Sequence, residues 1–244
     1  MKRILLTICY DGTDYHGWQY QNNALTVQQV LQEALSNVLG KATTVVGCSR
    51  TDAGVHAKEF CCHFDCDDNI PDNAFLKGVN GVLPDDIAVI GCKVTDSDFH
   101  ARYSALGKTY VYNILNNSSK DPFLMRYAWK IDQPLKIDLM NAFCEKIVGT
   151  HDFYGFSSSG RTVEDTIRTV SQCFVTKEND SVKLQITGNG FLYNMVRIIV
   201  GTAVDVSFGR IPLKQVDKIF TEKKREFAGI TAPAKGLFLE KVIY

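Results

Sequence analysis

The chain has 244 residues, 45% of them apolar and 22% charged, and its 27 basic and 27 acidic side chains leave a formal net charge of 0. This is the composition of an ordinary globular protein, long enough for one large domain or two small ones. The neutral balance gives no support to a uniformly basic nucleic-acid binder, although 27 basic residues can still be gathered on one face.

Lys2 and Arg3 precede an apolar run too short for a secretory leader, so the eight cysteines are expected as reduced thiols in a cytosol. Residues 2–10 predict a strand, and 11–24 a polar, glycine-rich loop with three aromatics. Thr26 and Gln29 fit a capping box. Val27, Val30, Leu31, Ala34, Leu35, Val38 and Leu39 then follow the helical period up to a stop at Gly40. A strand is expected at 43–46, the segment "CSRTDAGVHA" follows at 48–57, and another strand covers 59–64. Alternation puts Phe60, Cys62, Phe64 and Cys66 on one face of that strand as small buried hydrophobes. The spacing of Cys61, Cys62, His63 and Cys66 is wrong for a zinc knuckle, so no metal site is expected there. A helix over 71–82 with Pro71 in its first turn, and a strand over 86–94, complete the first half.

The second half begins with a strand over 106–115 and a helix over 135–149. A hairpin of 166–177 and 181–188 follows, then an apolar helix over 190–209. Asn194, Arg197 and Asp205 interrupt that helix too often for a membrane span. A short helix over 213–220 and a strand over 236–244 close the chain, with 116–122 and 157–161 as loop-like insertions. Each half therefore reads as a split βαββαβ order, 1–105 and 106–244, an α+β architecture.

The segment "CSRTDAGVHA" is small and polar, with almost nothing to bury. Asp52 before Gly54 is good turn chemistry, since Asp bonds its own backbone and Gly tolerates positive φ. Taken alone, the local sequence favours a turn. The string "SRTDAGVHA" nevertheless closely resembles the signature of the bacterial tRNA pseudouridine synthase A family. Further segments resemble that family in the same order: "YDGTDYHGWQ" (10–19), "GVNGVLPDDIAV" (78–89), "DFHARYSALGKTYVY" (98–112), "HDFYGFSSSG" (151–160), "GNGFLYNMVRIIVG" (188–201) and "AKGLFLEKVIY" (234–244). The resemblance covers essentially the whole chain. Ser49 stands where many members have Gly, a change that most turn geometries accept.

The resemblance implies isomerisation of uridine to pseudouridine at positions 38, 39 and 40 in the anticodon stem-loop of tRNA. It also implies a cytoplasmic homodimer and two ferredoxin-like halves joined into one mixed, mainly antiparallel sheet, with helices on one face and an RNA-binding cleft on the other. No cofactor, metal or nucleotide is implied, and no membrane. No phosphate-cradling or dinucleotide glycine motif appears in the sequence. By the same resemblance Asp52 is the catalytic carboxylate. Arg197 is the cation that keeps it ionised, an expensive residue among apolar neighbours unless paired. Tyr110 is the aromatic that stacks on the target base, although Tyr112 points the same way by period two. Leu237 is an apolar wall of the pocket, and Arg50 helps to extrude or hold a flipped nucleotide. Asp11 and Asp14 are expected to cap loop backbone and Tyr15 and Trp18 to pack. His100 and Arg102 are read equally as RNA-phosphate contacts or as structural residues, and His56 is given no catalytic role. Two competing readings are a non-catalytic RNA-binding module on the same scaffold and a thiol or zinc protein built on 61–66.

Overall fold

A computed structural model describes residues 1–66, 71–160 and 164–244. Backbone contacts divide the chain into two compact units, Met1–Leu106 with Phe238–Tyr244, and Gly107–Leu237. Residues 238–244, at the end of the stretch read as the second half, thus lie in the first unit. Both units are α+β with mainly antiparallel strands.

In the first unit the element order is β1 (Lys2–Tyr10), α1 (Val27–Leu39), β2 (Val46–Gly47), β3 (His56–Cys66), α2 (Asp72–Asn80) and β4 (Ile87–Thr95). The sheet runs β4-β1-β3, with β1 antiparallel to both neighbours and β2 added to β3. This is the arrangement of a split βαββαβ unit. The last strand, β10 (Leu237–Ile243), lies parallel to the start of β3 through Phe238 opposite His56 and Leu239 opposite Ala57. Ile4, Leu6, Ile8 and Tyr10 alternate into the core from β1. Phe60, Cys62, Phe64 and Cys66 do the same from β3. Cys61 and His63, on the opposite face, are buried as well. That face is covered by the segment around Phe99–Ala101 and by Tyr244, so β3 is enclosed on both sides.

Thr26 caps α1 by accepting from the Gln29 amide at 3.3 Å, and Gly40 ends it in the left-handed region at φ 66°. The reciprocal arm of the capping box is missing, because the Gln29 side chain donates to Glu33 instead. The strand expected at 43–46 shrinks to the two residues of β2.

The second unit contains β5 (Gly107–Leu115), β6 (Trp129–Lys130), α3 (Ile137–Ile147), β7 (Gly149–Asp152), β8 (Ile167–Glu178), β9 (Ser181–Gly188), α4 (Met195–Ser207) and α5 (Asp217–Glu222). Its strands run β5-β9-β8-β7, each pair antiparallel, with β6 parallel to β5. The hairpin turns at Asn179, which takes φ 52°. The helix expected over 190–209 is shorter. Asn194 sits at φ 60°, a left-handed backbone that Asn tolerates and an α-helix does not continue through, so α4 starts at Met195. The helix expected at 213–220 is a 3₁₀ turn (Leu213–Gln215) followed by α5.

One face of α4 grips the segment that leads towards β10. Thr202 Oγ1 accepts from the Gly229 amide at 2.9 Å and Asp205 Oδ2 from the Ile230 amide at 3.3 Å. Gly201 lets the Ile230 carbonyl approach so closely that a Cβ there would lie 1.8 Å from its oxygen.

Candidate active site

Asp52 lies in the loop that joins β2 to β3, and it is half-buried. Its carbonyl accepts from the Val55 amide at 3.2 Å, which closes a four-residue turn with Gly54 at the third position and φ 76°. That positive φ is what a type II turn demands of its third residue. The turn expected from the sequence is therefore present.

The turn is also held from outside. The Thr51 carbonyl accepts from the Trp18 amide at 3.3 Å, and the Gly54 amide donates to the Tyr15 carbonyl at 3.1 Å. Thr51 Oγ1 and the Tyr10 hydroxyl are 3.0 Å apart, both buried. Two glycines permit this approach. A Cβ on Gly12 would lie 2.0 Å from the Val55 carbonyl oxygen, and one on Gly17 would lie 2.2 Å from that of Thr51. Gly17 also has φ 81°, which disfavours any side chain. Loop 11–24 and the Asp52 turn thus form one packed unit of backbone.

The flanking residues are structural. His56 is 1% exposed and stacks on Phe238 with centroids 4.5 Å apart. Its Nδ1 lies within reach of both the Gly12 amide (3.1 Å) and Asp11 Oδ1 (3.0 Å). The two contacts need opposite protonation states. The amide can only donate, so Nδ1 accepts, and Asp11 Oδ1 is satisfied by the amide and hydroxyl of Thr13. The Tyr15 hydroxyl donates to Asp86 Oδ1 at 2.7 Å, and burial together with this bond pushes its pKa far above the ordinary tyrosine value. Trp18 is buried and stacks on Phe60 at 4.1 Å. Arg50 is exposed, two residues before Asp52.

The remaining sequence-derived site residues belong to the second unit. Tyr110 on β5 is 6% exposed and meets the edge of Phe191 at 5.3 Å. Tyr112 is fully buried and its hydroxyl donates to the Pro233 carbonyl at 2.7 Å. Gly236 packs so closely over it that a Cβ would lie 2.6 Å from its ring. Tyr112 therefore has no face left for a nucleobase, while Tyr110 keeps a small exposed area. Arg197, in the first turn of α4, donates from Nε to the Ala232 carbonyl and from Nη1 to Asn194 Oδ1, each at 2.8 Å. The Ala232 amide returns a bond to the Arg197 carbonyl at 3.1 Å. The guanidinium is therefore held on two sides and does not trail along an apolar face. Leu237 is buried, directly after a 3₁₀ turn (Ala234–Gly236).

Among the described residues no group of three or more His, Cys, Asp or Glu side chains is arranged to hold a metal ion, and burial pushes the Cys62 thiol pKa well up. No described helix is long and apolar enough to cross a membrane.

The family model for tRNA pseudouridine synthases matches residues 7–104 and 143–244. The chain belongs to the tRNA pseudouridine synthase family. It is 47% identical to the tRNA pseudouridine synthase A of Thermoanaerobacter sp. (strain X514) over 244 residues, all of both chains. With the synthases of the same name from Clostridium kluyveri and Clostridium acetobutylicum it shares 46% and 43% identity over the same full length. Pseudouridine synthases are isomerases: substrate and product contain the same atoms, and only the bond between base and ribose changes. Both segments matched by the synthase model carry residues discussed above, with Asp52 and its clamp in the first and Arg197 and Leu237 in the second. Tyr110 lies between them.

Sequence reasoning missed Tyr10, Thr51 and Asp86 as supports of the Asp52 turn, and Thr202 and Asp205 as supports of the segment that holds Arg197. For Tyr10 the available signal was its place as the last inward-facing residue of β1.

Proposed function

We propose that this chain isomerises uridine to pseudouridine at positions 38, 39 and 40 of the tRNA anticodon stem-loop, with Asp52 as the reacting carboxylate. The observation that carries this reading is the clamp on the Asp52 turn, fixed at Thr51, Asp52 and Gly54 by three backbone hydrogen bonds and at Thr51 by the Tyr10 hydroxyl. A carboxylate is a weak nucleophile and a weak base, so the position in which it is held supplies much of its effect. Attack on C1′, removal of the 2′ proton and addition to the base all use this one side chain.

The reaction breaks the N1–C1′ bond and forms C5–C1′. The C5 proton is lost to solvent and N1 gains one, so no oxidant, energy source or metal enters the balance. The target base leaves its stack to reach the carboxylate. Arg50 holds the extruded strand, Tyr110 stacks on the base, Leu237 supplies an apolar wall and Arg197 supplies positive charge. The protein works as a cytoplasmic homodimer of two-halved chains.

The experiment is tritium release from tRNA carrying uridine-5-³H, with wild type and Asp52→Asn. Asparagine keeps the shape and removes the charge. Release by wild type, background release by the variant and equal tRNA binding by both support the assignment. Equal release by both places the chemistry on another carboxylate. Binding without release by wild type on any tRNA leaves a non-catalytic RNA-binding module.

A further inference from the structure

Tyr103 is a large aromatic left 76% exposed, yet its surroundings are rigid. The Ala101 amide donates to His63 Nδ1 at 3.1 Å and the Ala101 carbonyl accepts from the Tyr244 hydroxyl at 2.8 Å. His100 and Ser104 close a turn through two bonds, Ser104 amide to His100 carbonyl at 2.8 Å and His100 amide to Ser104 Oγ at 3.0 Å. Arg3 holds the Phe99 carbonyl at 2.7 Å. An exposed ring on so well-anchored a turn loses little freedom when it binds something.

Its immediate neighbours define what it can bind. One face of Tyr103 rests on the His100 imidazole, with centroids 4.3 Å apart and planes 32° apart. With 76% of the residue exposed, most of the ring is left to solvent. His100 Nδ1 accepts from the Arg102 and Tyr103 amides at 3.1 and 3.3 Å, which leaves Nε2 as a donor. The exposed Arg102 guanidinium lies over the Tyr103 ring, 5.7 Å from its centre, on a long side chain with room to swing aside or to close over a bound base. Asp98, the nearest acid along the chain, acts on Arg3. An exposed aromatic ring with a cation and an N–H donor at hand matches a flat base with a phosphate attached. Paired bases already have both faces stacked, so the fitting nucleotide is an unpaired one.

We propose that Tyr103, backed by His100 and flanked by Arg102, is a stacking platform for an unpaired tRNA nucleotide other than the target uridine, with Arg102 on its phosphate. This rests on the function proposed above. The Asp52 turn does not take part, so the platform affects binding and leaves the chemical step alone.

The test measures tRNA affinity over a range of salt concentrations, together with tritium release. Tyr103→Ala is expected to weaken binding about 5- to 100-fold, with kcat retained and the slope of log K against log salt unchanged. Tyr103→Phe, which keeps the π-face, retains wild-type affinity. Arg102→Ala reduces that slope by about 1. Wild-type affinity in Tyr103→Ala, with wild-type enzyme active, overturns the platform alone. A changed subunit number for Tyr103→Ala in sedimentation assigns the ring to a contact between copies of this chain and also overturns it. Absence of tritium release by wild type on any tRNA removes the functional reading, and the platform with it.

Discussion

Gly17 is where the clamp on the Asp52 turn is most easily broken. Alanine at this position keeps φ near 81° only at a cost of about 1–2 kcal/mol. Its Cβ also starts 2.2 Å from the Thr51 carbonyl oxygen, and that separation has to open to at least 3.0 Å. The atom opposite is backbone, so no rotamer change relieves the contact. Opening it removes the Trp18-to-Thr51 bond, worth about 0.5–1.5 kcal/mol net. The expected loss is about 1.5–3.5 kcal/mol, with the residue before Asp52 displaced. A displacement of about 1 Å in a reacting group costs about 10²-fold. Gly17→Ala is therefore expected to lower kcat for tritium release about 10²-fold with little change in KM for tRNA. The control is Gly40→Ala at the end of α1. It has a similar φ of 66° but no atom within 4 Å of the added Cβ, so it carries the backbone cost without the displacement. It should lose about 1–2 kcal/mol in urea unfolding and keep wild-type kcat. A Gly17→Ala enzyme with kcat within about twofold of wild type, or no less stable than Gly40→Ala, refutes the idea that this contact places Asp52.

Two other perturbations separate geometry from charge. Arg197→Lys keeps the charge but cannot reproduce the two-sided hold by Ala232 and Asn194; kcat/KM in the tritium assay should fall about 10-fold or more, and wild-type values would mean that charge alone suffices. His63 is depressed to about 4, first by burial and then by Arg3 and His100, against an ordinary value of about 6.5. Below 6.5 the unfolded chain binds a proton that the folded chain refuses. Stability should therefore fall as pH drops from about 6.5 to about 4, by up to about 1.4 kcal/mol per unit, and level off below that. Urea midpoints at a series of pH values would show this slope in wild type and a reduced one in His63→Gln; identical slopes would exclude His63 as its source.

Elements with a sustained period were legible in the sequence. Alternating Ile4, Leu6 and Ile8 mark β1, and the run from Val27 to Leu39 marks α1 with both of its caps. What failed was local. Nothing in the apolar pattern of 190–194 reveals that Asn194 adopts a left-handed backbone, so α4 reads five residues too long at its start. Strands as short as β6 and β7 offer no alternation to detect, and they exist because β5 and β8 are already in place to pair with. The Asp52 turn was legible through Asp52 and Gly54, and its surroundings were not. Tyr10 and Thr51 are 41 residues apart and meet only because of the register of β1 on β3. Likewise, only the placement of Pro233 and Gly236 distinguishes the enclosed Tyr112 from Tyr110.

The grip of α4 on the segment after it sets a limit on length. Gly229, Ile230 and Ala232 are each bonded to a particular residue of one helix: Thr202, Asp205 and Arg197. A helix offers such partners only at spacings dictated by its pitch. Inserting or deleting a single residue between 229 and 232 would put these amides out of step with their acceptors on the helix. This stretch behaves as a ruler laid along α4. Tags and loop grafts belong at the exposed residues 118–120 instead.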